Sequence, residues 1–349
     1  MELETLLRNN IKKLKPYASA RHEFTGDARI FLDANENPFD SGLNRYPDPL
    51  ATPLRQRLAE LKGVRPDHVF TANGSDEAID LLLRLFCEPR KDAIITLPPT
   101  YGMYEVSAGI ADVEVVHVPL QTNFELDLPA ILAATQQHRA CLLFLCRPNN
   151  PTGNLFAERQ VRTLLEQFEG IVVIDEAYID FCPSASLLPW IDAYPNLVVL
   201  QTLSKAWGLA GIRLGMAFAQ APLIRWLDAV KPPYNVNQLT QKVALEALQQ
   251  PEQVEQVVEV LVGERQRLAQ ALTELPFVEK VFPSQANFLL VRMRAARKIY
   301  EALAARGIVV RDRSRQPLCA ECLRISVGTP EQNDVLLKAL RQIEVVENR

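Results

Sequence analysis

The feature that most constrains the fold is a series of short apolar runs, separated by glycine- or proline-marked turns and by helical stretches. They fall at residues 69–72, 93–97, 113–118, 140–145, 171–174, 197–200 and 213–219. Such runs are too short for buried helices, and most are too uniformly apolar for strands with one face in water. They read as strands of a buried sheet, and the helical stretches between them imply a mostly parallel sheet with helices outside it. None approaches the roughly 20 residues needed to cross a bilayer.

Helix signals fall where this architecture needs them. Over 52–63, Thr52 reads as the N-cap, Pro53 as the first helical residue, Leu54, Leu58 and Leu61 as the inner face and Gly63 as the stop. Residues 76–86 form a helix with Ile79, Leu82, Leu83 and Phe86 inward, and Asp127 caps another, whereas 98–104 reads as a proline-rich loop. Beyond 219 come helices at about 237–248 and 252–275, the second with a partial apolar stripe interrupted by Arg265. Extended runs at 278–282, 286–291, 308–312 and 323–328, a helix at 295–306 and one from Pro330 complete the chain. The expectation is an α/β protein: a large domain over 31–245 with a mostly parallel sheet flanked by helices, and a smaller α+β domain from 1–30 and 246–349.

With 349 residues, 48% of them hydrophobic, the chain can bury a large core and a companion. A net charge of -4 with scattered basic residues gives no electrostatic case for nucleic acid. The start, Met1-Glu2-Leu3-Glu4, lacks the basic opening and apolar core of a signal peptide, so a cytoplasmic enzyme with no membrane partner is expected. Cys87, Cys141 and Cys146 lie in or beside apolar segments as small hydrophobes. Cys319 and Cys322 have metal-like spacing, but no second pair follows and His22, His68, His117 and His138 are distant. They read as incidental thiols in a loop, with no metal.

The chemistry-bearing residues sit in the turns. Thr202-Leu203-Ser204-Lys205 and the glycines after it, closed by Arg213, put a lysine on a loop anchored between two strands. Such an amine can form a Schiff base with an aldehyde cofactor, while burial beside cations would lower its pKa. Arg213 could pair with a phosphate through its planar fork and the hydroxyls of Thr202 and Ser204 could donate to the same anion. Alone, the lysine reads equally well as a surface residue in a turn.

The turn Asn73-Gly74-Ser75, with Asp76 opening a helix, offers free amides to an anion, as do many α/β turns that bind nothing. Tyr101, just past a strand, could lie flat on a ring or simply pack. Asn150, in Asn149-Asn150-Pro151-Thr152-Gly153, points an amide above a strand's carboxyl end. Asp175 follows four buried apolar residues and is costly to bury unless it meets a cation, for which a protonated pyridine nitrogen would serve; Tyr178 is three residues on.

Together, Asn150, Asp175 with Tyr178, Ser204-Lys205 and Arg213, in that order, resemble the signature of fold-type I pyridoxal-phosphate aminotransferases of the aspartate aminotransferase superfamily. The resemblance implies Lys205 as the Schiff-base lysine and Asp175 as partner of the pyridine nitrogen. It also implies Asn150 and Tyr178 on the phenolic oxygen, Tyr101 stacked on the ring, and Gly74, Ser75, Asp76, Ser204 and Arg213 about the phosphate. Within that superfamily the chain is most similar to the histidinol-phosphate aminotransferases, through stretches 33–38, 45–47, 98–104, 175–181, 202–206 and 323–329. That likeness implies transamination between histidinol phosphate and glutamate, and a homodimer in which Tyr46 reaches the neighbouring subunit's cofactor phosphate.

The same likeness places Tyr17, Asn35, Arg311 and Arg324 at the substrate, Arg324 on the carboxylate of glutamate and Tyr17 and Arg311 near the distal anion. The turn matching 74–76 often carries alanine at its middle position, where Ser75 adds a hydroxyl. The competing enzyme readings are an aromatic amino acid aminotransferase and a threonine-phosphate decarboxylase. An effector-sensing module of a transcription regulator would need a DNA-binding domain ahead of residue 33, where only about thirty residues stand.

Overall fold

The computed structural model describes residues 3–15 and 29–343. Each of the seven apolar runs is a strand: β1 (Val69–Asn73), β2 (Ala93–Thr96), β3 (Glu114–His117), β4 (Ala140–Cys146), β5 (Ile171–Asp175), β6 (Leu197–Thr202) and β7 (Leu214–Phe218). They form one sheet in the order β1-β7-β6-β5-β4-β2-β3. The strands from β2 to β6 pair in parallel, and β7 runs antiparallel to both its neighbours. The reversal follows from chain length. A parallel crossover needs a dozen or more residues, usually a helix, and the tight loop from Thr202 to Leu214 supplies neither, so β7 turns back on β6 with Thr202 opposite Gly215. β3, at the sheet edge, is the one strand of the seven with no buried residue.

Helices cover both faces, as expected of an α/β protein. The helix Ser75–Phe86 buries Ala78, Ile79, Leu81, Leu82, Leu83, Leu85 and Phe86, nearly its whole circumference, because it lies under the sheet and is itself covered. Two further helices, Glu158–Gln167 and Ala221–Val230, carried no expectation. The first is polar or charged except for Val161, Leu164 and Leu165, too narrow a stripe to stand out by pattern. The stretch 98–104, expected to be loop throughout, ends in the start of a helix, Met103–Ile110. Proline confines the loop to the residues before Gly102, and the helix turns Tyr104 into the core.

The helix Thr52–Lys62 is stopped by Gly63 in the left-handed region, φ 66°, as expected. Its cap differs: Thr52 is already helical and no side chain caps from the preceding position. The Asp48 carboxylate does that work from outside, accepting the N–H groups of Thr52 at 2.7 Å and Leu50 at 2.9 Å.

The smaller unit holds an antiparallel sheet in the order β10-β11-β9-β8, made of β8 (Val278–Val281), β9 (Phe288–Met293), β10 (Arg311–Asp312) and β11 (Cys322–Ser326). Helices Pro251–Thr273, Ala296–Ala304 and Pro330–Arg341 close its core around Leu268, Leu289, Ile299, Leu323 and Leu340. The last begins with a capping box between Thr329 and Gln332. Two contacts differ from the expected grouping. Leu3 and Leu7 bury in the cluster of the large sheet, and the Arg8 amide donates to Leu85 at 3.0 Å, so the first residues pack on the large unit rather than the smaller. Leu248, past the expected boundary at 245, joins Leu54 and Leu58 as Ala244 does, so the large unit runs to the end of the helix Gln238–Ala247.

Cys319, in the loop before β11, and Cys322, the first residue of β11, are free thiols buried in the same cluster as Leu290, so both are core residues. Between the units, Gln285 N–H donates to Gly153 at 2.7 Å, and within the smaller unit the buried Arg265 donates to the Ala286 carbonyl at 2.8 Å. That bond accounts for an arginine within an apolar stripe.

One close approach fixes the geometry that the site needs. A Cβ added at Gly215 would lie 2.2 Å from the Ser75 nitrogen and 2.3 Å from the Gly74 carbonyl carbon. Gly215→Ala is therefore expected to destabilise the protein by on the order of 3 kcal/mol, because backbone and not a movable side chain must shift. Urea unfolding followed by far-UV circular dichroism measures this, and an unchanged midpoint would count against the contact.

Candidate active site

The loops at the carboxyl ends of the large sheet's strands enclose a cleft of about 630 Å³. Eleven residues singled out from the sequence line it together: Gly74, Ser75, Asp76, Tyr101, Asn150, Asp175, Tyr178, Thr202, Ser204, Lys205 and Arg213. Cys146, Ala177 and Ala210 complete the lining.

One corner is built for an anion. Gly74 turns with φ 74° at the start of the helix Ser75–Phe86, whose first amides have no partner of their own within the helix. A Cβ on Gly74 would lie 2.7 Å from the Arg213 guanidinium, so glycine here lets the arginine come up against the helix start. Arg213 itself has φ 55°, and its guanidinium stands 3.7 Å from the Asp76 carboxylate. Asp76 also accepts from the Tyr101 hydroxyl at 3.0 Å. The two hydroxyls of the lysine loop divide their roles. Thr202 Oγ1 accepts the Ser204 amide and lies 3.1 Å from the Leu214 carbonyl and 2.9 Å from Ser204 Oγ. Thr202 thus braces the loop against β7, and Ser204 is the better placed of the two to donate outward.

The opposite corner holds a carboxylate with no ion-pair partner among the described residues. Asp175 ends β5, beside Cys146 of β4, and is 2% exposed. Its oxygens take the Tyr104 hydroxyl at 2.6 Å and the Ala177 amide at 3.0 Å. Burial raises its pKa, while those two hydrogen bonds pull the other way. Tyr104 is fully buried, stacks on Phe144 with ring centroids 4.6 Å apart and meets Tyr101 edge-on at 5.5 Å. Sequence reasoning did not single it out. The signal was an aromatic three residues after Tyr101, which becomes meaningful only once the helix Met103–Ile110 turns that ring into the core beneath Asp175.

Lys205 sits between the two corners. Its side chain opens to the cleft instead of being enclosed, and its nitrogen stands 5.6 Å from the Tyr178 ring centroid. The cleft walls still strip away water: desolvation, then the positive charges of Arg324 and Arg213, lower its pKa, with Asp175 opposing. Tyr178 accepts from the Asn150 amide at 3.2 Å, so its own proton can be given to a ligand oxygen. Asn150 in turn accepts from Arg324 at 2.5 Å, a bond that brings the smaller unit to the edge of the cleft. Asn149, passed over in the sequence, holds this turn in place by donating to Pro99 and Thr152 and accepting from Thr100.

The remaining candidates lie elsewhere. Arg311 is exposed on β10, opposite Arg324 in the ladder. Asn35 and Tyr46 line a different cavity with Tyr234, on which Tyr46 stacks at 4.4 Å. Within one chain neither reaches the Lys205 cleft. Tyr17 lies outside the described residues.

A parallel-rich sheet with an amine, an uncompensated carboxylate and an anion corner at its strand ends defines an aminotransferase-type site. The family model described as "Aminotransferase class I and II" matches residues 30–340, and the chain belongs to that family. Within it the sequence is similar to histidinol-phosphate aminotransferases. It is 51% identical to that of Cytophaga hutchinsonii, over 97% of this chain and 98% of that one, and 52% identical to that of Parabacteroides distasonis, over 99% of each. The solved histidinol-phosphate aminotransferase of Sinorhizobium meliloti in complex with pyridoxal-5'-phosphate superposes with a TM-score of 0.79 at 26% identity, over 86% of this chain and 84% of that one.

The Asp175 carboxyl holds its proton more tightly folded than unfolded. Its destabilising effect is therefore absent at acid pH, grows as pH rises from the ordinary carboxylate value to the raised folded one, and is complete above that. Asp175→Asn, which keeps the shape and removes the charge, should raise the thermal midpoint of the ligand-free protein at neutral pH, and the gain should shrink on acidification. A fall in midpoint at neutral pH would contradict an uncompensated charge at this position.

Proposed function

We propose that the chain is a pyridoxal-phosphate-dependent aminotransferase that exchanges an amino group between histidinol phosphate and 2-oxoglutarate, or imidazole acetol phosphate and glutamate, in histidine biosynthesis. The observation that carries the cofactor is the buried Asp175 carboxylate, which has no cation among the described residues and faces the same cleft as Lys205 and Arg213. The near-full-length identity to histidinol-phosphate aminotransferases supports the substrate pair.

The residues present fit the group feature by feature. Lys205 would hold its aldehyde carbon, Asp175 its ring nitrogen, and Tyr178 with Asn150 its phenolic oxygen. Tyr101 would cover the ring, while Arg213, Ser204 and the amides opening the helix Ser75–Phe86 would take its phosphate. When bound, pyridoxal phosphate supplies an electron sink for the pair left at the substrate's reacting carbon.

The chain's own residues do the rest. Asp175 keeps a proton on the ring nitrogen, and its two hydrogen bonds hold it in place for that. With the cofactor bound, the Lys205 amine would take the proton from the substrate carbon and return it further along; its lowered pKa leaves more of it neutral and able to do so. Arg324, tied to Asn150, fixes the substrate's anionic end and so orients the carbon–hydrogen bond toward that amine.

The assembly we propose is a homodimer with shared sites. Leu43 and Leu239 are exposed on the cavity that holds Asn35 and Tyr46, and Ile30, Leu32, Phe39 and Val243 are also exposed. Covering that surface with a second copy would bury them and let Tyr46 of one chain approach the cleft of the other. Among the described residues no helix is long and apolar enough to cross a membrane. We place the enzyme in the cytoplasm, without nucleic-acid or membrane partners.

Lys205→Ala should abolish the Schiff-base band in the spectrum of the bound cofactor and cut transamination of histidinol phosphate by roughly a thousandfold or more. An unchanged spectrum and rate would remove Lys205 from the mechanism. Sedimentation velocity of the holoenzyme at micromolar concentration should show one species of twice the chain mass, and a monomer would exclude shared sites.

A further inference from the structure

Beside the cleft, the smaller unit gathers more positive charge than one anion of single charge requires. Arg311 on β10 lies opposite Arg324 on β11, and the ladder continues one step further, with the Arg313 amide donating to the Cys322 carbonyl at 2.9 Å. Side chains alternate along a strand, so Arg311, Arg313 and Arg324 share one face of the sheet, with Cys322, and that face packs toward the large unit. Asp312, between the first two, points the other way and meets Arg297 at 3.7 Å.

No carboxylate among the described residues forms an ion pair with any of the three. The Nε atoms of Arg313 and Arg324 are both buried without a hydrogen-bond partner. Burial and the neighbouring charges of Arg324 and Arg311 push the Arg313 pKa down to about 10, while the nearby Tyr178 opposes this. Like charges held together in a partly desolvated place are costly unless an anion completes them.

The family likeness gives roles to Arg311 and Arg324 and none to Arg313. We propose that Arg313 is a specificity-determining residue that joins Arg324 and Arg311 in a three-guanidinium well and favours a phosphate monoester over a carboxylate as the substrate's anionic end. The inference rests on the function proposed above. A phosphate monoester carries close to two negative charges at neutral pH and three acceptor oxygens, so a third fork-shaped donor adds more to it than to a carboxylate with one charge and two oxygens.

The test uses the holoenzyme, in which the cofactor-phosphate corner is already filled. Arg313→Gln should raise KM for histidinol phosphate by about tenfold and KM for glutamate by less than about threefold, with kcat little changed. Arg313→Lys should recover part of the loss. Inorganic phosphate, competing with glutamate, should inhibit Arg313→Gln about tenfold more weakly than the unaltered enzyme. Equal KM increases for the two substrates, an unchanged KM for histidinol phosphate, or a fall in kcat with both KM values unchanged would overturn the proposal. Should the unaltered enzyme fail to turn over histidinol phosphate, the function proposed above falls, and the inorganic phosphate comparison still decides the arginine well: unchanged inhibition overturns it. If Arg313→Gln loses its cofactor spectrum or thermal midpoint, Arg313→Lys carries the same comparisons with smaller factors in the same direction.

Discussion

The site is organised around a negative charge left unanswered by the protein. Asp175 could have been neutralised cheaply by a neighbouring lysine or arginine, and instead it has a phenol and a backbone amide. Those donors keep the carboxylate oriented without cancelling its charge, and its full burial prevents water from doing so. The result is a place where a cationic ring nitrogen is worth far more than it would be in solvent. Much of the surrounding packing maintains that condition: Tyr104 is held by its stack on Phe144, and Cys146 fills the neighbouring position of β4 as a small apolar group, its thiol kept protonated by burial.

The other half of the site follows from the short β6–β7 connection. Too short to cross over, it doubles back and leaves Lys205 projecting over the sheet's end, braced by Thr202 on one side and returned to the core by Leu214 on the other. The reversed strand then brings Gly215 against the Gly74–Ser75 turn, which carries the helix start toward Arg213. Anion corner and lysine are thus parts of one backbone arrangement, and neither can move far without the other.

Electrostatics across the two units complete the arrangement. Arg324 reaches from the smaller sheet to Asn150, which orients Tyr178, so a residue far along the chain helps to set the hydrogen bonds over the cleft. The same arginine helps to lower the Lys205 pKa. A positively charged rim therefore does two things at once: it attracts an anionic substrate, and it keeps the reacting amine closer to its neutral form.

Local pattern alone was enough for the strands, because a buried parallel sheet demands continuous apolar runs whatever surrounds it. The order of Asn150, Asp175, Tyr178, Lys205 and Arg213 likewise pointed to one cleft, since each ends such a run or lies in a turn that follows one or leads into the next. The sequence could not assign Tyr104, whose meaning depends on a helix beginning at Met103, nor Arg313, whose charge matters only because the ladder of β10 on β11 puts it on the same face as Arg324. It also misplaced the cap of the helix Thr52–Lys62 and the first residues of the chain, where Asp48 and the apolar cluster of Leu3 and Leu7 compete successfully with the local signal. Periodicity is written into consecutive residues and can be read there; which side chain lies opposite which carboxylate, and which charges go without partners, is fixed only when distant segments are packed together.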